Sequence, residues 1–312
     1  MIVRAGVAQI GAVPFDAAAS VSKTEHWIAR AGAAGCRIVV FPEAVIAGYP
    51  KGCDFDITIG RRTERRREEF RRYFEEASIA VPGPETERLG QAAALAQTYV
   101  VAGVIERDLG TLYCTAIFIG ADGSFLGRHR KLMPTAGERL LWGFGDGSTM
   151  PVFATPAGNI GAVICWENYM PMLRTAMYGK GIQIYCAPTA DDRETWLPTI
   201  RHIALEGRCF VLSACQRVTR GEYPSDYRCL ITDDPQALLM RGGSAIIDPL
   251  GRVLAGPRFD EELLLTADLD LEEIARAKFD FDAVGHYARP DIFSLQVDES
   301  AKDPVRWVSK LK

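Results

Sequence analysis

Apolar residues along this chain of 312 residues alternate with polar ones or form short continuous runs. Residues 2–10 alternate, which is typical of a strand with one face more buried than the other. Residues 38–41 are a continuous apolar run, which indicates a parallel strand buried on both faces. Between these two segments, apolar positions at helical spacing predict a helix from about Asp16 to Ala34. The strand–helix–strand order predicts an α/β fold.

The same patterns continue through the rest of the chain. They predict strands at 99–105, 112–120, 124–129, 160–164, 182–190 and 209–215, two strands about a turn within 243–256, and a strand followed by a helix within 263–278. They also predict helices at 85–97 and 195–207. A turn at 121–123 joins two strands closely enough for an antiparallel hairpin. A single (β/α)₈ barrel needs fewer strands than this, so we expect a pair of mixed sheets with helices on their outer sides.

The charge of the chain gives no sign of nucleic-acid binding. Lys and Arg total 36 against 40 Asp and Glu, a net charge of −4. The one dense charge run, residues 61–76, interleaves acidic and basic side chains at helical spacing and carries an aromatic stripe of Phe70, Tyr73 and Phe74. We interpret it as a solvated helix with internal ion pairs rather than a nucleic-acid surface.

Hydropathy and cysteine spacing indicate the expected compartment. No apolar run approaches 18 residues, so we expect no membrane span. The first residues show no signal or transit pattern, and the cytoplasm is therefore the expected location. The eight cysteines show no zinc-ligand spacing and no disulfide framework, which leaves Cys165 free to be a reactive thiol.

Cys165 is the first candidate for chemistry. It follows the apolar run 160–164, and Pro171 a few residues later suits the start of a helix. A strand that delivers a thiol to a turn before a helix is a common way to hold a nucleophile, and the helix N-terminus is expected to favour a thiolate. Most free cysteines are nevertheless buried structural residues, so Cys165 alone does not decide the function.

Glu43 and Lys131 each follow a predicted strand, as Cys165 does. Burying a carboxylate costs several kcal/mol, as an order of magnitude, unless it is paired. Ligand crevices of open α/β sheets lie at such strand ends. Lys131 precedes an apolar pair, and Glu138 lies in a loop seven residues later. Taken singly, each charge could be structural, but a carboxylate, a lysine and a cysteine together supply a base, a cation and a nucleophile.

The segments around these residues resemble one protein family, the nitrilase branch of the carbon–nitrogen hydrolase superfamily. The matching segments are FPEAVIAGYPKG around Glu43, HRKLMPTAGERLLWGFGDGS around Lys131 and Glu138, and ICWENYMP around Cys165. Their order and spacing also agree with the family. The PTxxER and WGxGDG patterns resemble nitrilases more than amidases.

The resemblance extends from about Val3 to about Asp291. It implies a four-layer α-β-β-α sandwich that forms a carbon–nitrogen hydrolase domain over residues 1–290. It leaves residues 291–312 as a C-terminal tail, which we expect to pack on the body or on a neighbouring subunit. It also implies a homodimer or a larger homo-oligomer.

The resemblance further implies a nitrilase, which converts an organic nitrile to the carboxylic acid and ammonia through a thioimidate and a thioester. Glu43 would act as the base, Cys165 as the nucleophile and Lys131 as the cation that stabilises developing charge. Glu138 would position Lys131 or the substrate. The expected partner is a small nitrile, with no metal, no organic cofactor, no nucleic acid and no membrane.

The substrate pocket is less defined by the sequence. Candidate pocket residues are the aromatic and hydroxyl side chains near these segments: Tyr49, Trp142, Trp166, Tyr169, Thr189 and Trp196. Their aromatic character favours an aryl or arylalkyl nitrile. Two alternatives stay open, namely an amidase or carbamoylase of the same superfamily and a catalytically silent scaffold that binds a partner through residues 61–76. His202, within a predicted helix, is expected to be a structural histidine.

Overall fold

Two β-sheets pack face to face at the centre of the structure, a computed structural model that describes residues 1–305. In chain order the strands are β1 (Ile2–Gln9), β2 (Ile38–Val40), β3 (Tyr99–Asp108), β4 (Thr111–Ile119), β5 (Phe125–Arg130), β6 (Val152–Thr155), β7 (Gly158–Ala162), β8 (Ile184–Thr189), β9 (Phe210–Cys215), β10 (Arg217–Thr219), β11 (Leu238–Ile247), β12 (Val253–Phe259) and β13 (Leu263–Asp270). The α-helices are α1 (Ala17–Ala33), α2 (Glu64–Arg72), α3 (Pro84–Ala96), α4 (Pro171–Gly179), α5 (Trp196–Gly207) and α6 (Glu272–Asp280).

Both sheets are mixed and share one plan. The first runs β13-β1-β2-β3-β4-β5, and the second runs β10-β11-β9-β8-β7-β6 with β12 paired to β11. Strands β1, β2 and β3 are parallel to one another, as are β7, β8 and β9, and the flanking pairs are antiparallel. The carboxyl ends of parallel strands are where α/β folds place their ligands, so each sheet offers one such edge.

Three hydrophobic layers separate the four structural layers. Side chains such as Ile38 and Val40 of β2 point into the core between the sheets, whereas Val39 points into the core beneath α1 and α3. In β8, Cys186 faces the core between the sheets and Tyr185 faces α4 and α5. Burial on both faces explains the continuous apolar runs of these strands. The predicted α-β-β-α sandwich is therefore confirmed.

The charged run at 61–76 forms α2 and a following π turn, Tyr73–Ala77. Ion pairs within the helix join Arg65 to Glu69 and Arg71 to Glu68, as the interleaved charges predict. Tyr73 is fully buried, because its ring packs into the core between the sheets.

The described part of the tail, residues 291–305, is mostly exposed and follows the surface of the body. The Lys302 backbone N–H donates to Asp146 Oδ2 at 2.7 Å, and Glu299 pairs with Lys180. Residues 306–312 of the predicted tail lie outside the described residues. Within residues 1–305, no helix has both the length and the apolar character needed to cross a membrane.

Candidate active site

Glu43 lies just beyond the carboxyl end of β2, the middle strand of the parallel triplet, and is fully buried. The turn that carries it lies directly on β3. The Gly103 N–H donates to the Pro42 carbonyl, and a Cβ at Gly103 would lie 2.4 Å from that oxygen, so only glycine permits the approach. Gln216 Nε2 donates to the Glu43 carbonyl at 2.7 Å and fixes the turn from the second sheet.

Lys131 follows β5 and places its ammonium group between two carboxylates. Its Nζ donates to Glu43 Oε1 at 2.7 Å and to Glu138 Oε2 at 2.8 Å, and the side chain has no exposed surface. Burial acts to lower the pKa of Lys131, but Glu43 and the other neighbouring acids outweigh it and raise that pKa well above its usual value. Lys131 is therefore a permanent cation that uses two of its three N–H donors.

Glu138 lies in a short 3₁₀ turn and both of its oxygens have partners. Oε2 accepts from the Lys131 ammonium and from the Thr135 N–H at 2.6 Å. Oε1 accepts from Tyr49 Oη at 2.6 Å. Burial and the adjacent carboxylate of Glu138 raise the pKa of Tyr49 well above its usual value, so its phenol stays protonated and donates. Glu138 thus connects Lys131 to Tyr49.

Cys165 begins a 3₁₀ turn and adopts φ +50°, a left-handed conformation that non-glycine residues rarely take. Thr189, at the end of β8, places Oγ1 3.2 Å from the thiol sulfur. Burial raises the pKa of Cys165 to about 12, and the nearby Glu43 contributes to the rise. The expectation that a helix N-terminus favours a thiolate is wrong, because α4 starts six residues later and the thiol is enclosed.

Two buried residues that sequence reasoning missed join the loops of Lys131 and Cys165. Glu167 accepts from the backbone N–H of Leu132 at 2.6 Å and from that of Ile164 at 3.0 Å. It also lies 3.1 Å from Nε2 of His129, whose Nδ1 donates to a backbone carbonyl. Both residues fall inside the quoted segments, HRK and CWE, so their position was available as a signal.

The charge state of His129 follows from its partners. Burial acts to lower the pKa of His129, but Glu167 outweighs it and the net effect is a raised pKa. His202, by contrast, has 64% of its side chain exposed, next to Glu206. The expectation that His202 is the structural histidine is wrong, since its helix turns it to solvent and His129 occupies the core.

A cavity of about 240 Å³ opens beside Cys165. Of the predicted residues, Tyr49, Glu138 and Trp166 line it together with the thiol. Four charged residues that the sequence did not single out also line it, so the walls combine aromatic surface with charge of both signs: Lys51, Asp191, Asp192 and Arg193.

The remaining predicted pocket residues lie elsewhere. Thr189 contacts Cys165 itself. Trp142 is buried behind Lys131, with its ring 5.8 Å from Nζ. Tyr169 packs edge-on against Trp166 at 5.6 Å and is partly exposed. Trp196 does not line the cavity. It is the first residue of α5, its ring packs into the core beneath that helix, and its Nε1 donates to Ser213 Oγ at 2.9 Å.

The Cys165 thiol and Glu138 line a small cavity, and Glu138 connects that cavity to the buried cation Lys131 and the buried carboxylate Glu43. Together these side chains can add a sulfur nucleophile to an electrophilic carbon and stabilise the negative charge that develops. Among residues 1–305, no cluster of three or more His, Cys, Asp or Glu side chains is arranged to hold a metal ion.

Comparisons with known proteins indicate a single family. The carbon-nitrogen hydrolase family pattern matches residues 4–279. An aliphatic nitrilase of Sinorhizobium fredii (strain HH103) is 61% identical over 302 residues, which are 97% of this chain and 97% of that protein. A bifunctional nitrilase/nitrile hydratase of Lupinus angustifolius is 56% identical over 312 residues, covering 98% of this chain and 89% of that protein.

A solved structure shares the fold at much lower identity. The crystal structure of a carbon-nitrogen hydrolase from Helicobacter pylori G27 matches 94% of this chain and 97% of its own, with a TM-score of 0.75 and 20% identity. This likeness supports the four-layer architecture and nothing finer.

Proposed function

The chain belongs to the nitrilase branch of the carbon–nitrogen hydrolase family, and we propose that it hydrolyses an organic nitrile to the carboxylic acid and ammonia with Cys165 as nucleophile. One observation carries the assignment of roles: the fully buried Lys131 bridges Glu43 to Glu138, and Glu138 lines the same cavity as the Cys165 thiol. Stability alone does not explain three charged side chains buried together, because removing them from water costs more free energy than apolar residues in the same place would.

The reaction would begin with attack of the Cys165 sulfur on the nitrile carbon, with Glu43 taking the thiol proton. Because the thiol is neutral at rest, this transfer has to accompany attack on the nitrile carbon. The sulfur–carbon bond forms as one π bond of the nitrile breaks. Glu43 then gives the proton that it took from Cys165 to the nitrogen, which yields a thioimidate and leaves Glu43 ionised for the next step. Lys131 would stabilise the negative charge developing on that nitrogen with its third N–H donor.

Water would then complete the conversion in two steps. Glu43 takes a proton from the first water as it adds to the thioimidate carbon and passes this proton to the nitrogen. The new hydroxyl then gives up its proton to the nitrogen as the carbon–nitrogen bond breaks, so that ammonia leaves and a thioester remains on Cys165. A second water adds to the thioester carbon, and the carboxylic acid and the free thiol are released. Glu138, held by Tyr49 and Thr135, would keep Lys131 in place throughout.

Matched substrates test the assignment against its main alternative. We expect ammonia release from nitriles with higher kcat/KM than from the corresponding amides, because an amidase would show the reverse order. The assay should also measure acid and amide products, since a relative at 56% identity is named a bifunctional nitrilase/nitrile hydratase. Amide turnover without nitrile turnover at any concentration tested would overturn the proposal.

We also propose that the enzyme works as a homodimer or a larger assembly. Exposed apolar side chains on and beside α4 and α5, namely Tyr169, Met172 and Leu205, provide a surface that a second copy could cover. Light scattering at micromolar concentration would give a dimer mass or more, and a monomer would contradict this proposal. Eight unpaired thiols suit a reducing compartment such as the cytoplasm.

A further inference from the structure

A second thiol contacts the proposed base, and the reaction described above does not use it. Cys114 lies in β4, is 1% exposed, and has its sulfur 3.3 Å from Glu43 Oε1. Its backbone carbonyl accepts from the Lys131 N–H at 2.8 Å, so β4 supports the cation as well as the carboxylate.

The direction of this contact is fixed by protonation. Burial raises the pKa of Cys114 well above its usual value, and the adjacent Glu43 raises it further, so the group is a thiol rather than a thiolate. A carboxylate has no hydrogen to give, and the S–H of Cys114 is therefore the donor.

The two oxygens of Glu43 have different surroundings. Oε1 accepts from both Cys114 and Lys131. Oε2 is buried and meets no hydrogen-bond donor within the part of the chain that the structure describes. Two donors on one oxygen leave the other oxygen with the unengaged lone pairs, which is where a carboxylate binds a proton most readily.

We propose that Cys114 is a positioning residue for the base: its S–H, together with Lys131, occupies Oε1 and leaves Oε2 as the oxygen that exchanges protons with Cys165 and with water. This inference rests on the proposed function, in which Glu43 is the base. Cys114 itself does not line the cavity, and it acts through Glu43 alone.

The donor also stabilises the ionised form of Glu43. The titratable groups that act on this carboxylate or are acted on by it are Lys131, Glu138, Cys114, Cys165 and Tyr49. Burial raises the pKa of Glu43; Lys131 and the Cys114 hydrogen bond act to lower it. Removing the thiol would raise the pKa of Glu43 further, and more of the enzyme would hold a protonated, inactive base at mildly acidic pH.

The test is the pH dependence of kcat/KM for nitrile hydrolysis by Cys114→Ala and Cys114→Ser. Alanine removes the donor, so the acid limb should move to higher pH. We divide kcat/KM of each protein by its own plateau value. At a pH on the acid limb, this ratio for Cys114→Ala should be roughly three- to tenfold lower than for wild type, because a thiol is a weak donor and a tenfold change corresponds to a shift of one pH unit. Serine keeps a donor, and its limb should lie at or below the wild-type pH.

Cys186→Ala is the matched control. Cys186 is equally buried in the same central core, and burial alone raises the pKa of its thiol, which has no carboxylate partner among residues 1–305. This variant should change stability without moving the limb. If Cys114→Ala does not fold, the serine variant decides, and an upward shift in its limb would contradict the inference.

Three results would overturn the role of Cys114: an unmoved limb in Cys114→Ala, an equal upward shift in both Cys114 variants, or an equal shift in the Cys186 control. Glu43→Gln separates this failure from failure of the proposed function. An inactive Glu43→Gln with an unmoved Cys114→Ala limb removes only the present inference. An active Glu43→Gln removes Glu43 as the base.

Discussion

Helix α2 and the Glu43–Lys131–Glu138 cluster both bring opposite charges within hydrogen-bond distance, but their surroundings differ. In α2, Arg65 and Glu69 are 2.8 Å apart with 52% and 24% of their side chains exposed. In the cluster, Lys131 and Glu43 are 2.7 Å apart and neither is exposed. The ion-pair distances are nearly equal, so distance alone does not distinguish them.

The difference in exposure gives the two regions different energetics. An exposed pair contributes about 0–1 kcal/mol, because water and salt screen it. A buried pair has a desolvation cost that often exceeds its Coulomb gain, so apolar residues would serve folding equally well there. Buried charges that cluster beside a cavity therefore indicate chemistry, whereas the larger number of charges on α2 indicates a solvated surface.

The largest expected effect in this comparison comes from Lys131→Arg. Arginine keeps the charge, but its planar fork cannot place one donor between two carboxylates and a small carbon–nitrogen group. We expect kcat to fall by roughly a hundredfold or more, almost as far as in Lys131→Ala. Turnover of an accepted nitrile measures this, with circular dichroism as the folding control. Near wild-type turnover by Lys131→Arg would show that a positive charge at this position is sufficient for catalysis and that the shape of the ammonium group is not required.

The buried His129–Glu167 pair should give a pH-dependent stability. The raised pKa of His129 means that its contribution is complete below the unfolded value of 6.5 and is lost as pH rises through the folded value. His129→Gln should lower the unfolding free energy by about 3 kcal/mol at pH 6, since it leaves Glu167 without its cation. The difference from wild type should shrink at alkaline pH. Denaturant unfolding at several pH values checks this, and a difference independent of pH would contradict it.

The smallest effect should come from Arg71→Ala in α2, the surface counterpart of the Lys131 variants. Arg71 pairs with Glu68 and Glu75 but is 47% exposed. We expect a loss of less than about 1 kcal/mol in stability and unchanged kcat, because solvent already screens these pairs. A tenfold loss of turnover would mean that α2 takes part in the reaction and that burial is a poor guide here.

The sequence predicted the layers and the cluster because both leave local patterns. Doubly buried strands such as 38–41 require continuous apolar runs, and Glu43 and Cys165 each follow such a run. Lys131 follows β5, an edge strand that is only partly buried. The resemblance then supplied Glu138, whose contact with Lys131 the structure shows.

Other features depend on contacts between distant segments and could not be derived from local patterns. The raised pKa of Cys165 depends on its burial and on Glu43, which is distant in the sequence, and its left-handed conformation has no local sequence signal such as glycine. Trp196 lies seven residues after Thr189, which contacts Cys165, but it is the first residue of α5 and the packing of that helix turns its ring into the core. The Cys114 contact to Glu43 joins residues 71 positions apart.

The most direct test of the account is ammonia release by Cys165→Ala, compared with Cys186→Ala as a buried-thiol control of the same core. The account predicts no detectable ammonia from Cys165→Ala with an intact fold by circular dichroism, and substantial activity from Cys186→Ala. Retained nitrile hydrolysis by a folded Cys165→Ala protein would contradict it, because a group other than Cys165 would then have to be the nucleophile.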